Sequence, residues 1–481
     1  MRTFENQVQK VKNDVYRKVS EYCFDDSLVN KLPIIAEELN EGPNPTLRCC
    51  VYHERAVTNE RIHMCLGGDK NNPNLIEVLP AACDQCTENR YAVNESCRGC
   101  IAHRCKQSCP VDAISFINNR AIIDYDQCIE CGKCHKACPY NAISDVMRPC
   151  IKACPTKAIS VDMNKKAIID ETKCISCGAC VYRCPFGAIQ DKSQITEVVK
   201  QLKNHHHNLY GIIAPAIATQ FDYVNLGQVV SALKIIGFKD VVEVALGADL
   251  VAYHEAEEFV EKMNEGANIL TTSCCPGFVK YIQQEFPMLV DSMSTTVSPM
   301  IATARMIKSV DKEASIVFIG PCIAKKGEEH LWGLHKEIDY VLTFEELTGI
   351  IESRDIDMTS LDSSPLNNAS PYGRGFAKTS GVTNALNAIM EEKHPEIEYD
   401  TVVCNGIDEC KKALTLAKLG KLQNTFIEGM ACVGGCIKGP ATMHYGNDDT
   451  KKLSSYCKNA LEVSTLDAIR IFDDMAINLS R

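Results

Sequence analysis

Several features are missing from this chain of 481 residues, and each absence narrows what it can do. No apolar run approaches the ~20 residues of a membrane helix, so no span is expected. The start, Met1-Arg2-Thr3-Phe4-Glu5-Asn6, is polar and leads into no apolar signal core, so a cytoplasmic chain is expected. Basic residues are not in excess. The formal net charge of −11 leaves nothing to neutralise nucleic-acid phosphates, although a local basic patch for an acidic electron carrier stays compatible with it. No glycine-rich nucleotide loop is evident, because the glycines between Ala431 and Gly439 belong to a cysteine motif. The length suggests two to four domains, and a 45% hydrophobic content suffices for a large core.

Cysteine is what the chain has in abundance, with 28 residues. Without a secretory signature disulfides are not expected, so metal is the expected partner of these thiols. Residues 1–82 read as a helical N-terminal region serving as a cap or docking module. Residues 4–22 and 27–39 have helical apolar spacing. Glu41-Gly42-Pro43-Asn44-Pro45 breaks the chain, and 48–66 reads as a third helix carrying Cys49, Cys50 and Cys65. His63 and Cys65 are candidate ligands there, against the plainer reading of buried or idle thiols.

Residues 83–190 hold sixteen cysteines, many followed by proline. Cys128-x2-Cys131-x2-Cys134-x3-Cys138-Pro139 is the bacterial ferredoxin run, and Cys174-x2-Cys177-x2-Cys180-x3-Cys184-Pro185 repeats it. Cys97-x2-Cys100-x4-Cys105-x3-Cys109-Pro110 is a variant with a longer middle gap. A 4Fe–4S cubane takes three thiolates from one tight loop and a fourth from a partner segment, and in two-cluster ferredoxins the fourth Cys of each run serves the other cluster. Hence Cys97, Cys100 and Cys105 are expected with Cys138, and Cys128, Cys131 and Cys134 with Cys109. Cys150-x3-Cys154-Pro155 lacks a leading Cys-x2-Cys, while Cys83-x2-Cys86 stands alone upstream. Folding Cys83 and Cys86 beside Cys150 uses every thiol: Cys174, Cys177 and Cys180 take Cys154, and Cys83, Cys86 and Cys150 take Cys184. The rival is a three-cluster domain with free thiols. Zinc in Cys₄ sites is the competing metal, disfavoured by the repeated Cys-Pro endings. Residues 113–117 with 121–124, and 158–162 with 167–170, read as hairpins of a duplicated two-cluster unit. Clusters in series make an electron wire, and iron–sulfur ligation implies a reducing, anaerobic compartment.

From 191 onward the pattern is βα, with strands expected at 210–214, 240–246 and 397–404. Helices are expected at 193–205, 226–236, 248–264, 276–286, 299–310, 344–352, 382–393, 409–419 and 466–479, and an irregular loop at 353–375. His205-His206-His207 reads as a solvated helix end. Three cysteine loops dominate this half: Thr272-Ser273-Cys274-Cys275-Pro276, Gly320-Pro321-Cys322-Ile323-Ala324-Lys325-Lys326, and Glu428-Gly429-Met430-Ala431-Cys432-Val433-Gly434-Gly435-Cys436. Each follows an apolar run (268–270, 315–319 and 425–427) that reads as a buried strand. Open α/β sheets place ligands at the carboxyl ends of strands, so these loops are expected to converge on one pocket. Core packing alone is the competing reading.

The three loops resemble the active-site motifs of the FeFe-hydrogenases, and the resemblance covers residues 83–445. It implies an α/β catalytic domain, 191–481, of two βα lobes flanking an active-site cluster, preceded by α+β ferredoxin-like 4Fe-4S domains. In that family a 4Fe-4S cubane is joined through a cysteine sulfur to a two-iron subcluster bearing CO, cyanide and a bridging dithiolate amine. By motif position Cys275, Cys322, Cys432 and Cys436 resemble the cubane ligands, with Cys436 the bridging thiolate. Cys274 resembles the proton-shuttling thiol, Lys325 the cyanide-binding lysine and Met430 a pocket methionine. Ala214-Pro215-Ala216 resembles the loop over the other cyanide. Glu255, Ser294 and Glu258 resemble the outward proton route, the plainer reading of the carboxylates being a solvated acidic face around Glu257. The sequence departs from the pattern at Gly320 (methionine in well-known members), at Phe278 (tryptophan) and at Gly439-Pro440, which lacks a glycine-rich tail. Cys83 and Cys86 ahead of the runs also differ, and Cys404 and Cys410 fit no motif.

The function the resemblance implies is reversible interconversion of protons plus electrons and dihydrogen, with ferredoxin or flavodoxin as redox partner and maturation proteins building the site. The alternatives are a non-catalytic iron–sulfur assembly factor, whose members usually lack the shuttle cysteine and the lysine, and a dihydrogen sensor, whose known members carry an appended signalling domain.

Overall fold

In the second half, short runs of Val, Ile and Phe become parallel strands, and the central ones are buried on both faces. The computed structural model describes residues 4–204, 208–328, 337–472 and 477–481. One sheet has the order Asp240–Glu243, Leu209–Ile213, Ser315–Gly320, Tyr340–Thr343, and every pair is parallel. The other has the order Ile269–Thr271, Thr425–Met430, Asp400–Asn405, also parallel, and every residue of Thr425–Met430 is buried. These are the two βα lobes. The helix Val244–Asn264 packs against Pro299–Val310 and Gly381–Lys393.

The sequence reading differs from the fold in four places. Val244–Leu246, expected in a strand, begin the helix Val244–Asn264 directly after Glu243. The helix's first nine residues are all buried, so its apolar run carries no helical period to separate it from a strand. The strand Tyr340–Thr343 was not anticipated. The loop 353–375 contains a 3₁₀ turn, Met358–Ser360, and a helix, Pro371–Gly375, whose N-cap Ser370 accepts the N–H groups of Tyr372 and Gly373. The last helix is short: Thr465–Ile469 gives way to a 3₁₀ turn, Arg470–Phe472, and Leu479 is extended, its carbonyl accepting the Val297 N–H at 2.8 Å. His205-His206-His207 lie outside the described residues.

Upstream, Ile114–Ile117 pairs with Arg120–Ile123, and Ile159–Val161 with Ala167–Ile169, as two antiparallel hairpins. Asn118 and Asn119 both have positive φ, 50° and 59°, as a two-residue type I′ turn requires. Tyr91–Val93 pairs with Ile143–Asp145, and Ile76–Val78 with Ile189–Asp191, tying the ends of this region together. The N-terminal helices Gln7–Phe24, Leu28–Leu39 and Val51–Cys65 form a cap. Gln7–Phe24 packs on Phe344–Ser353 and Ile195–Lys203. A buried Lys12–Glu345 ion pair fixes it there.

Candidate active site and its cluster relay

The three cysteine loops leave the carboxyl ends of their strands and meet where the two sheets face each other. Their side chains bound a cavity of ≈ 90 Å³ whose wall includes Cys274, Cys275, Cys322, Cys436, Lys325 and Met430. Ala214 and Pro215 complete one side, and Phe318, Met300 and Phe376 make the rest apolar. Cys432 is not on that wall. It lies on the other side of the thiol group, close enough to Cys322, Cys275, Cys436 and Cys177 for their charges to act on it.

The electrostatics fit a metal centre. Burial first, with neighbouring thiolates adding to it and Lys325 opposing, pushes the Cys322 thiol up to about 11 and the Cys436 thiol up to about 12. Burial and the same neighbours hold Cys432 well above its ordinary value. Clustered thiols of this kind can serve as metal ligands, because coordination deprotonates a thiol outright. The donor set Cys275, Cys322, Cys432 and Cys436 therefore fits an iron–sulfur cubane, and the apolar cavity beyond it has room for an attached group. Lys325 Nζ donates to the Cys274 carbonyl at 3.3 Å and to Glu328 Oε2 at 2.7 Å, a buried cation on the cavity wall suited to an anionic ligand.

Behind Cys274 runs a line of polar groups. Burial first, then Glu255, hold the Cys274 thiol well above its usual range. Glu255 is fully buried. Its Oε1 accepts from Ser273 N at 3.3 Å and from Ser273 Oγ at 3.4 Å, and its Oε2 has no hydrogen-bond partner among the described residues. Burial, with Glu258 adding to it, raises this carboxyl to about 7. Glu258 goes the other way. Burial alone would raise it, but Ser294 Oγ at 2.7 Å and Thr295 N at 2.8 Å donate to it and hold it below its ordinary value. Two carboxyls pushed apart in this way take opposite proton roles. Glu257 stands apart, pairing with Lys393 at 3.1 Å and His394 at 3.2 Å, so the helix does not present one uniform acidic face.

Some of this environment had no sequence signal. Thr296 Oγ1 lies 3.2 Å from Glu258 Oε2 and 2.8 Å from His254 Nδ1. Arg481, distant in sequence, donates to the Thr296 carbonyl at 3.1 Å and lowers the Glu255 carboxyl. Only the fold brings them there. Cys404 and Cys410 are buried against each other behind Cys275, off the cavity wall. Cys65 is fully buried beside the Lys326–Asp191–Glu346 ion cluster, away from the other thiols, as the plainer reading of a buried thiol has it rather than the candidate His63–Cys65 ligand pair.

The upstream thiols gather in four sets. One void is lined by Cys154, Cys174, Cys177 and Cys180, another by Cys109, Cys128, Cys131 and Cys134. Cys105 has Cys138 and Cys97 as charged neighbours, with Cys100 in the same loop. Burial first, with Cys184, Cys86 and Cys83 adding to it, pushes the Cys150 thiol up to about 11. Among the described residues no three His, Cys, Asp or Glu side chains are close enough to share one ion, so these thiols surround voids rather than a point. The sets also connect. Cys180 feels Cys150, and Cys177 feels Cys275, so a row of thiols leads from the second ferredoxin unit to the cavity wall.

The chain is similar to known iron–sulfur proteins over most of its length. A model of the C-terminal domain of the iron-only hydrogenase large subunit matches residues 207–440. Models of a 4Fe-4S binding domain and of an LdpA Fe-S cluster-binding domain match 121–144 and 144–195. Over residues 207–440 the chain is similar to the FeFe-hydrogenases. Iron hydrogenase 1 of Clostridium pasteurianum is 29% identical over 436 residues, covering 79% of this chain and 75% of that protein. The FeFe-hydrogenase HydA1 structure from Chlamydomonas reinhardtii has 20% identity and a TM-score of 0.48, covering 57% of this chain and 91% of that chain. The cytosolic Fe-S cluster assembly factor NAR1 of Eremothecium gossypii is 31% identical over 125 residues, 26% of this chain and 28% of that protein.

Each motif departure has a neighbour that accounts for it. A Cβ on Gly320 would meet the Phe318 ring at 2.5 Å, so that ring fills the space beside the cavity that a larger residue at 320 would need. Phe278 is fully buried with its ring against Gly429, where a Cβ would meet it at 2.1 Å. Pro440 packs on Gly178, between Cys177 and Cys180, and there the third motif's tail meets the cluster loop.

Proposed function

We propose that this chain is a catalytic FeFe-hydrogenase that interconverts dihydrogen with two protons and two electrons. The observation that carries the reading is the shared cavity wall of Cys274, Lys325, Met430 and three of the four cubane thiols. Cys275, Cys322, Cys432 and Cys436 would hold the cubane, with Cys436 the bridge to a two-iron subcluster. When bound, that subcluster supplies the site where dihydrogen is split or formed. Lys325 holds an anionic ligand of the group, and the apolar wall of Phe318, Met300, Met430 and Phe376 excludes water. Cys274 hands protons between cavity and protein. Glu255, poised near neutrality, receives them, Ser294 relays them, and ionised Glu258 takes them outward. The four upstream thiol sets hold accessory 4Fe-4S clusters that connect the site to ferredoxin or flavodoxin in the cytoplasm. Maturation proteins are the expected source of the two-iron group.

The similarity to an Fe-S assembly factor favours one other reading, a cubane-bearing scaffold without hydrogen chemistry. The presence of Cys274 and Lys325 speaks against it. Hydrogen evolution from reduced methyl viologen by anaerobically matured protein separates the two. The enzyme reading predicts activity that Cys274→Ala removes, whereas a fully iron-loaded, matured but inactive protein would support the scaffold.

A further inference from the structure

The N-terminal cap carries a reactive group that hydrogen chemistry does not use. Cys49 and Cys50 are exposed thiols just before the helix Val51–Cys65, and His53 stands in its first turn. Cys49 Sγ lies 3.2 Å from His53 Nδ1. The other ring nitrogen, Nε2, lies 2.8 Å from the Ala81 carbonyl oxygen and 3.3 Å from Asp84 Oδ2. Both of those partners only accept, so Nε2 carries the ring proton. In the neutral ring the lone pair is then on Nδ1, facing the thiol. This is the order nucleophile, base, orienting acceptor.

The loop is built to hold that geometry. Glu54 Oε1 accepts the backbone N–H of Thr46 at 2.8 Å and of Arg48 at 2.9 Å, and that of Leu47 as well. Arg48 donates to Asp84 Oδ1 at 3.1 Å, locking the orienting carboxylate and placing a cation beside the pair. Asp84 itself lies between Cys83 and Cys86, so a group added at Cys49 lands against the loop carrying two of the accessory-cluster thiols.

We infer that Cys49 is a nucleophilic thiol, activated by His53, and a site of reversible modification by small-molecule disulfides. His53 Nδ1 takes the Cys49 proton, and Sγ attacks one sulfur of the disulfide. The Cys49 Sγ–S bond forms as the disulfide S–S bond breaks, and the departing thiolate takes the proton from His53. The products are a mixed disulfide and one free thiol, with no other oxidant required. Desolvation and the Cys50 thiol beside it hold Cys49 above its ordinary value, so the thiolate arises by transfer to His53 and not by prior ionisation. The inference stands apart from the hydrogenase reading, because none of these side chains belongs to the cavity.

The test uses the full, cluster-loaded chain under anaerobic conditions with oxidised glutathione at pH 7, acid quenching and peptide mass mapping. Cys49 is expected to carry glutathione before Cys50 or any other cysteine. An ordinary thiol at pH 7 is only ~3% thiolate, so a positioned base can gain at most about 30-fold. His53→Gln is expected to slow labelling at Cys49 about tenfold with cluster absorbance unchanged, and Cys50→Ser to leave labelling at Cys49 in place. Equal labelling of Cys49 and Cys50, indifferent to His53→Gln, overturns the inference. If that variant does not fold, the wild-type pH profile decides. A rate that has levelled off by about pH 8 supports the pair, and one still rising above about pH 8 as an unassisted thiol ionises overturns it.

Discussion

Replacing Glu255 with glutamine tests the proton route most sharply, because the two residues differ only in whether they can ionise. Burial and the nearby Glu258 raise Glu255 from an ordinary 4.5 to about 7. That rise corresponds to about 3 kcal/mol against the ionised form in its site. An acid bound more tightly in the folded state costs stability as pH climbs from about 4.5 through about 7. Glu255→Gln therefore leaves the fold intact and, well above pH 7, removes up to about 3 kcal/mol of that cost. Activity moves the opposite way. A positioned proton carrier contributes typically ~100- to 10,000-fold, so hydrogen evolution is expected to fall by at least about 100-fold. Infrared difference spectra between pH 5 and pH 9 read the group directly. A buried carboxylic-acid band is expected to disappear with a midpoint near 7 and to be absent in Glu255→Gln. Glu258→Gln is expected to lower that midpoint by removing a neighbouring negative charge. A wild-type rate in Glu255→Gln, or a band titrating near 4.5, would refute the reasoning.

Three further outcomes follow from the packing and the thiol sets. Lys325→Met removes the ammonium 2.7 Å from Glu328, whose side chain is only 4% exposed, and leaves Arg481 as a remaining cation near it; it is expected to destabilise the protein by about 1–3 kcal/mol in denaturant unfolding, and an unchanged midpoint would contradict the pairing. Gly178→Ala drives a Cβ within 2.4 Å of Pro440 and 2.9 Å of Ile323 at a φ of 76°, and is expected to cost about 1–3 kcal/mol and slow electron delivery from reduced ferredoxin; wild-type stability would mean the two loops are not in contact. Four accessory cubanes and the active-site group give about 22 irons per chain, and Cys150→Ser is expected to remove about four; a wild-type content near 18 would mean that Cys83, Cys86, Cys150 and Cys184 hold no cluster.

The parts of the site that were legible in the sequence are those where the chemistry is local. A Cys-x2-Cys-x2-Cys loop fixes three thiols by itself, and the fourth follows from a ferredoxin run, so Cys109, Cys138 and Cys154 could be assigned to partner loops from spacing alone. Cys83 and Cys86 were harder. Their neighbours Cys150 and Cys184 lie 64–101 residues away, and only ligand counting joined them. Val244–Leu246 were misplaced because a helix turn buried on every side has the same apolar run as a buried strand. The strand Tyr340–Thr343 is too short and too close to the next helix to stand out. Thr296 and Arg481 carry no motif, and their part in the carboxyl line exists only once the 477–481 segment lies along it. The Phe318 ring beside Gly320 is a compensation visible only in three dimensions.

The central claim is that the cavity bounded by Cys274, Lys325 and Met430 receives a two-iron group carrying CO and cyanide. Its most direct test is an infrared spectrum of anaerobically matured protein in the region of metal-bound CO and cyanide stretches. The account predicts both sets of bands, with the cyanide bands shifted when Lys325 is replaced by methionine. A matured protein with full cubane occupancy and no such bands would contradict it and leave an electron-transfer or assembly protein in its place.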